Sequence, residues 1–480
     1  METTTTTQLN FVERFNNWIK ESIMVKLFSI GFLLLILLIP SAWIQNIMEE
    51  RQQRADSVVQ EVSDSWSGSQ TVAGPILVIP YKKYEVIDRG KGQKDTYEKI
   101  EKAYFLPEQL DVNGKVSPEL LHRGIFDAVV YQSALQLQAK FTKPDFKALS
   151  IDEQHVLWAE AKLIFGISDL RGISENPVLT NGTATLATGP LNNIGVTFNH
   201  SVEKYNPDEP YRYQAPNPDS PSTGIVAALG WKTQEDFSGD VAMNFALKGS
   251  KRLDFVPMGK TTNVKLDGPW KDPSFSGEFL PASRKITDKS FEASWKVLHF
   301  NRPFSQQWTG EGEQLTASDF GVKLLIPVDQ YQKSIRTAKY AVLMILLTFV
   351  AMFLVEITQK IRIHPFQYIL IGAALIIYYT LLLSFSEHVG YNVAYLIASI
   401  STVVLISLYA STFLKKISLT TLFAALLSIF YTFIFVIILQ QDFSLLLGSI
   451  GLFIIVGLLM YFSRKVKWYE DENLKFKAES

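Results

Sequence analysis

The chain of 480 residues contains no cysteine. This absence excludes disulfide bridges, thiolate metal sites and cysteine-bound iron–sulfur clusters. None of the six histidines lies in an HExxH motif, and the sequence has no GxSxG elbow, phosphate-binding Walker loop or calcium-binding loop. The common signatures of hydrolases, nucleotide-binding proteins and metalloenzymes are therefore missing, and no catalytic residue, metal ligand or cofactor is predicted.

An excess of charge of one sign is missing as well. The 46 Lys and Arg residues nearly balance the 47 Asp and Glu residues, which gives a formal net charge of −1. A balanced chain produces no broad electrostatic field that would attract a polyanion. Nucleic acid is therefore not expected as a partner.

Long apolar runs, by contrast, are abundant. About 20 apolar residues in a helix cross the hydrocarbon core of a bilayer, where backbone groups must satisfy their own hydrogen bonds. The sequence therefore predicts six transmembrane helices, one before and five after a long region of mixed character. They are Leu27 to Ile44, Tyr340 to Val355, Phe366 to Phe385, Tyr391 to Leu414, Leu419 to Leu439 and Phe443 to Phe462.

The first run has an alternative interpretation as a cleaved signal peptide. It is longer than a typical signal segment and no small-x-small cleavage site follows it, which favours an uncleaved anchor. None of the six runs has an ionised side chain at its centre. Glu356 comes nearest, and its place at a helix end predicts that it reaches the membrane interface. Since ionisable groups at depth usually mark ion pathways, their absence disfavours an ion-coupled transporter.

The basic residues of the short loops alternate from side to side. Lys and Arg occur before the first run, between the second and third, between the fourth and fifth, and after the sixth, whereas SEHVG and QQD in the other two loops have none. Basic loops stay in the cytoplasm, so both termini are predicted to be cytoplasmic. The lack of cysteine argues against a eukaryotic secreted domain and is compatible with a bacterial periplasmic domain. The predicted organisation is a cytoplasmic N terminus (1–26), transmembrane helix 1 (27–47), a periplasmic domain (48–337), a five-helix transmembrane bundle (338–463) and a cytoplasmic tail (464–480).

The region between the first two runs is predicted to be rich in β-strands. It opens with a helical stalk from Asn46 to Trp66, and after Gly74-Pro75 apolar residues recur mostly at every second position. Asn113-Gly114 predicts a tight hairpin turn. Many short strands favour an antiparallel sandwich, and the recurrence of Phe-Leu-Pro at Phe105 and Phe279 raises a two-lobed alternative. The predicted fold class is therefore a membrane α protein with a soluble β domain.

Two groups of polar residues are candidate sites. The first is a long loop whose amides, carboxylates and rings suit a glycan or a peptide, although Asn and Asp in loops also bond their own backbone. Its candidate binding residues are Asn192, Asn193, Asn199, His200, Glu203, Tyr205 and Tyr211. The second lies on the predicted outer rim of the bundle, where a histidine beside a carboxylate suits a sensor; the alternative is ordinary interfacial residues. It comprises Glu387, His388, Gln440 and Asp442.

Several ordered strings after residue 45 resemble the CreD family of bacterial inner-membrane proteins, which is named for cell-envelope integrity. They include SWSGSQTVAGPILVIPY at Ser65 to Tyr81, NFALKGSKRLDFVPMGKTT at Asn244 to Thr262, PVDQYQKSIRTAKY at Pro327 to Tyr340 and LLLSFSEH at Leu381 to His388. The resemblance implies an inner-membrane location, a periplasmic domain and a link to envelope stress. It implies no catalytic residue.

Three functions are compatible with these features. The first, favoured by the missing motifs, is a non-enzymatic envelope protein whose periplasmic domain binds an envelope component or a protein partner. The second is a membrane enzyme that acts on a lipid or cell-wall precursor with Glu387, His388 and Asp442. The third is a transporter or sensor, which the division into one and five spans disfavours. The lipid bilayer is a predicted partner in each case, and no oligomeric state follows from the sequence.

Overall fold

The computed structural model describes residues 23–88, 94–198, 222–311, 313–315, 318–324, 330–359, 361–440 and 443–464. Internal contacts divide the chain into two compact units. The helical unit comprises Met1–Arg54 and Val328–Ser480, and the β-rich unit comprises Ala55–Pro327.

The helical unit is built from apolar helices that follow the predicted runs. Its elements in the described residues are α1 Ile23–Trp66, α2 Gln330–Lys339, α3 Ala341–Gln359, α4 Pro365–Val389, α5 Tyr391–Leu414, α6 Ile417–Leu439 and α7 Ser444–Ser463. Five of these, α1 and α3 to α6, are long and apolar enough to cross a membrane. The predicted combination of membrane helices and a β-rich domain is therefore confirmed. The sixth predicted crossing lies on α7, whose described apolar stretch, Leu446–Leu458, is shorter than a span, so that crossing remains a prediction.

The junctions around α4 show why its helix begins and ends where it does. Pro365 occupies the first helical position, where the missing N–H would have no partner in any case. The Nδ1 atom of His364 accepts a hydrogen bond from the backbone N–H of Phe366 at 3.2 Å. Gly390 has a φ of 74° and separates α4 from α5. Because glycine tolerates a positive φ, the chain passes from one helix to the next without a longer loop.

The helix predicted from Asn46 to Trp66 is present and continues the first apolar run, whereas its role as a stalk stays a prediction. The apolar first half and the charged second half form one helix of 44 residues that ends at Trp66. Its last turns are held within the β-rich unit by two polar contacts. Arg123 forms an ion pair with Glu61 at 2.9 Å, and the Nζ atom of Lys251 donates to Oε1 of Gln60 at 2.8 Å.

The β-rich unit contains 19 strands in the described part of the chain. They are β1 Gln70–Asp88, β2 Lys94–Phe105, β3 Gln109–Arg123, β4 Phe126–Lys140, β5 Lys162–Ile167, β6 Val178–Asn181, β7 Ala184–Leu186, β8 Gly189–Leu191, β9 Val196–Thr197, β10 Gly224–Ala228, β11 Asp240–Ser250, β12 Arg252–Phe255, β13 Thr261–Gly268, β14 Pro273–Gly277, β15 Ser283–Ile286, β16 Phe291–Leu298, β17 Gln307–Thr309, β18 Glu313–Gln314 and β19 Phe320–Leu324. One sheet has the order β14-β19-β12-β1-β5-β10-β8, with β2 on β1 and β17 on β2. The other has the order β15-β16-β13-β3-β4-β11-β6-β7, and β18 pairs with β9.

The two large sheets share one hydrophobic core. In β4, Leu135, Leu137 and Ala139 are buried while the residues between them are exposed, so this sheet has one solvated face. The purely antiparallel arrangement that was predicted is wrong, because β3 pairs with β13 and β1 pairs with β12 in parallel. Buried side chains of both sheets belong to one contiguous cluster. The two-lobed alternative therefore does not describe this unit, because a single core joins the sheets.

The hairpin turn predicted at Asn113-Gly114 is wrong, because both residues lie inside β3. A Cβ atom on Gly114 would lie 2.6 Å from Cδ2 of Leu266 and 2.8 Å from Cδ2 of Leu135. The glycine thus makes room for two leucines in the core. The turn between β3 and β4 falls instead at Gly124, whose φ of 66° fits the first central position of a two-residue hairpin loop.

We expect Gly114→Val to destabilise the β-rich unit by about 2 kcal/mol, because extra methyl groups in a filled core cost roughly 1–3 kcal/mol. The matched control is Gly189→Val, since a Cβ atom at Gly189 would have no neighbour within 4 Å. The measurement is the denaturation midpoint of each variant, followed by tryptophan fluorescence. Equal midpoints for the two variants would show that the space above Gly114 is not needed by the leucines.

Candidate functional site

The helical unit contains a carboxylate network that joins three helices at one end of the bundle. Glu387, in the last turn of α4, has a side chain only 12% exposed. Its Oε1 atom accepts a hydrogen bond from the hydroxyl of Tyr331 in α2 at 3.1 Å. Nη1 of Arg51 in α1 lies 3.8 Å from the same oxygen. We call these three residues the Arg51 network; it contains one anion, one cation and one hydroxyl donor.

The short helix α2 brings further polar groups to the same end of the bundle. The hydroxyls of Thr337 and Tyr391 are 2.7 Å apart, and the ammonium group of Lys333 lies 5.7 Å from the ring centroid of Tyr391. Nε2 of Gln45 in α1 donates to the carbonyl of Ala338 at 3.1 Å. Helix α2 is therefore tied to α1, α4 and α5 by side-chain contacts.

The described members of the predicted outer rim are not joined to one another by polar contacts. In the described part of the chain, no hydrogen bond or ion pair joins Glu387 to His388 or to Gln440, and both of the latter side chains are exposed. Asp442 lies outside the described residues. The partners of Glu387 were missed by sequence reasoning, although the spacing of three between Tyr331, Ser334 and Thr337 is a helical signal for one buried polar face.

A second carboxylate lies at the other end of the bundle, and the sequence did not predict its partners. Glu356 was expected to reach the membrane interface, which stays a prediction, and its side chain is only 4% exposed. Oε1 accepts from Nζ of Lys26 at 2.7 Å and from the backbone N–H of Ile363 at 3.3 Å. Oε2 accepts from the hydroxyl of Tyr368 at 3.2 Å. Burial is tolerated because both oxygens have hydrogen-bond donors and α1 supplies a cation. We call this group the Lys26 network.

The two networks differ in expected strength. The side chain of Arg51 is 52% exposed, so its pair with Glu387 is screened by solvent and contributes at most about 1 kcal/mol. The pair between Lys26 and Glu356 includes a buried carboxylate with three donors, and such groups cost several kcal/mol to disrupt. Arg51 follows Lys26 by 25 positions, or about 37 Å along a helix. Polar contacts therefore hold α1 to the other helices on both sides of its apolar run, at Lys26 and at Arg51, and the contact at Lys26 is the stronger.

Between the two networks, the bundle core contains a group of buried tyrosines from α4, α5 and α6. Its members are Tyr378, Tyr379, Tyr391, Tyr395 and Tyr431. The ring centroids of Tyr378 and Tyr431 are 4.7 Å apart, and the hydroxyl of Tyr395 donates to the carbonyl of Tyr431 at 2.7 Å. The sequence analysis counted these residues as part of apolar runs and so missed the cluster.

The predicted binding loop of the β-rich unit is described only at its start. Asn192 and Asn193 are exposed, and Oδ1 of Asn193 accepts a hydrogen bond from the N–H of Gly195 at 2.9 Å. Asn193 thus shapes its own turn, as asparagine does in many loops. Asn199, His200, Glu203, Tyr205 and Tyr211 lie outside the described residues, so their binding role stays a prediction.

The geometry of the helical unit is suited to holding helices together. Each carboxylate of the two networks has a cation from α1 and a tyrosine hydroxyl as partners. Within the described residues, no group of three or more His, Cys, Asp or Glu side chains is placed to bind a metal ion.

Several apolar membrane-spanning helices, with a β-rich unit between the first and the rest, define a multi-pass membrane protein that carries a large β domain. The family described as "Inner membrane protein CreD" matches residues 22–469. A relative from Escherichia coli (strain K12), "Inner membrane protein CreD", is 29% identical over 466 residues, which cover 96% of this chain and 97% of the relative. The chain therefore belongs to the CreD family of inner-membrane proteins.

Proposed function

We propose that this chain is a non-enzymatic inner-membrane protein that supports the integrity of the cell envelope. In this proposal residues 48–337 lie in the periplasm and bind an envelope component or a protein partner. Residues 338–463 form a five-helix transmembrane bundle, and both termini lie in the cytoplasm. The observation that carries the proposal is the β-rich unit itself, which has its own core and a wide solvated sheet face.

The orientation is supported by the distribution of basic residues in the short loops. It can be tested directly because the chain has no cysteine. Lys289→Cys places one thiol on an exposed turn of the β-rich unit, and Lys416→Cys places one in the loop between α5 and α6. In intact spheroplasts, we expect a membrane-impermeant maleimide to label the first variant and not the second.

Permeabilised spheroplasts supply the control, since both variants should then be labelled. The reverse pattern in intact spheroplasts would overturn the orientation. It would also overturn the proposed role of the β-rich unit at the periplasmic side.

A membrane enzyme is the second candidate, and one observation favours it: Glu387 is a largely buried carboxylate that receives a hydrogen bond from Tyr331. In that alternative the neighbouring His388 would act as a general base or acid. The enzyme therefore requires the exposed side chain of His388 for its activity, whereas the non-enzymatic protein does not.

We expect His388→Ala to support envelope-stress tolerance as well as the unaltered chain does. The measurement is survival under detergent stress of a strain lacking the gene, complemented with either form. Loss of the gene should lower survival at least tenfold. A His388→Ala variant that is inserted normally but fails to restore survival would favour the enzyme, and a gene loss without effect would remove the envelope role.

A further inference from the structure

The solvated face of the eight-stranded sheet carries an unusual set of side chains. We call it the amide face, and it is defined by Gln109, Asn113, Gln132, Gln136, Gln138, Asn244 and Asn263. All but Asn263 are exposed, and Asn263 is half-buried. They lie at outward positions of four adjacent strands, β13, β3, β4 and β11.

The strand register places these amides in rows across the sheet. Asn113 on β3 lies opposite Gln136 on β4, which in turn lies opposite Asn244 on β11. Directly opposite residues in neighbouring strands have Cβ atoms about 5 Å apart, so these three side chains are neighbours. Two residues away along each strand, Asp111 on β3 lies between Asn263 on β13 and Gln138 on β4.

The amides of the central row are available for a ligand. Nδ2 of Asn263 and Nε2 of Gln109 donate to Asp111 at 2.7 and 2.6 Å. Across the described residues, by contrast, the side-chain amides of Asn113, Gln136 and Asn244 make no hydrogen bond within the protein. Each exposed carboxamide therefore offers two donors and one acceptor to a partner.

Solubility alone does not explain this composition. An exposed strand position is well served by threonine or by charged residues, and asparagine is depleted in strands. The charges around the central row also balance, since β3 and β13 carry Asp111, Lys115, Lys265 and Asp267. In the register of these strands Lys115 lies opposite Asp267, and Lys265 lies opposite Asn113. A face with many donors and acceptors and no net field suits an extended, uncharged polymer rather than a polyanion or a basic peptide.

We propose that the amide face binds the glycan strand of peptidoglycan, whose hydroxyl and acetamido groups both donate and accept hydrogen bonds. This inference rests on the proposed function, because it requires the β-rich unit to lie in the periplasm. An acetamido group can donate to and accept from a carboxamide, and the register places the amides in rows that cross adjacent strands, along which an extended chain can bind.

The test uses the full chain in detergent and purified peptidoglycan sacculi. The variant Asn113→Thr/Gln136→Thr/Asn244→Thr removes the central row with a residue that favours strands. The matched control, Gln154→Thr/Asn176→Thr, removes two exposed amides of the β-rich unit that belong to neither the amide face nor the candidate binding loop. We expect the unaltered chain and the control to co-sediment with sacculi, and the central-row variant to bind at least tenfold less.

Thermal unfolding of the central-row variant verifies that its fold is intact. Equal sedimentation of that variant and the control would overturn the inference, as would absence of binding by the unaltered chain. The chain could fail to bind sacculi while Lys289→Cys is labelled from outside and survival is restored. In that case the proposal of glycan binding is wrong and the proposed function stands. If Lys289→Cys is not labelled from outside, the proposed function falls with it.

Discussion

Asp254→Ala should lower the free energy of unfolding of the β-rich unit by about 3–5 kcal/mol, the largest effect expected of a single substitution in this protein. Asp254 is fully buried in β12, and one of its carboxylate oxygens lies 3.1 Å from Nε of Arg252, whose side chain is 6% exposed. Removing the carboxylate takes away the charged partner at Nε of a buried guanidinium. The free energy of unfolding of a typical domain is only about 5–15 kcal/mol, so this substitution would remove a large part of the stability of the β-rich unit.

The measurement is denaturant unfolding followed by tryptophan fluorescence, which reports mainly on the β-rich unit because six of the nine tryptophans lie between residues 55 and 327. The matched control is Asp267→Ala, which removes an exposed carboxylate from β13 of the same unit. That control should change stability by no more than about 0.5 kcal/mol.

A double variant separates the missing charge from a general packing defect. Replacing both partners of a buried ion pair with neutral groups is often close to neutral for stability. We therefore expect Arg252→Met/Asp254→Asn to recover at least half of what Asp254→Ala loses. A double variant that is less stable than Asp254→Ala would contradict the argument that an uncompensated charge causes the loss.

Glu356→Ala should weaken the helical unit by about 3 kcal/mol, toward the lower end of the range for buried pairs because Lys26 is 35% exposed. The substitution removes the acceptor of the Tyr368 hydroxyl and of the Ile363 backbone N–H, which are then left unsatisfied in a low-dielectric setting. It also frees the Lys26 end of α1. The free energy of unfolding in mixed micelles, titrated with a denaturing detergent, measures the effect.

Two comparisons make this second result specific. Glu49→Ala removes an exposed carboxylate from α1 in the same unit and should change stability little. Arg51→Ala breaks only the exposed partner of Glu387 and should cost at most about 1 kcal/mol. If Glu356→Ala is no worse than Arg51→Ala, the Lys26 network does not hold α1 more firmly than the Arg51 network does.

The correct predictions concern features that depend only on residues close together in the sequence. Runs of about 20 apolar residues predicted the membrane helices, because crossing the bilayer depends on length and hydropathy alone. Alternation with period two predicted strands such as β4, and charged helical spacing predicted that α1 continues to Trp66. The family resemblance was confirmed because many ordered strings match along the chain.

The incorrect and missed predictions concern contacts between residues far apart in the sequence. Glu356 is buried because Lys26, 330 positions earlier, supplies its cation, and no local pattern contains that pairing. Asn113-Gly114 has the local chemistry of a turn, but two leucines from other strands need the space above the glycine. Glu387 was singled out as a candidate rim residue, which stays a prediction, and its partners Arg51 and Tyr331 come from two other helices.

The sequence by itself determined that this protein has apolar helices suited to a membrane, a β-rich middle region and membership of the CreD family. Hydropathy, periodicity and ordered motifs are properties of neighbouring residues, so contacts between distant residues do not change them. Only the tertiary structure decided that one core joins the two sheets, that α1 is fastened at Lys26 and Arg51, and that amides from different strands form one face. Those features depend on which distant residues meet, and that is settled by packing and strand register, which no single segment contains.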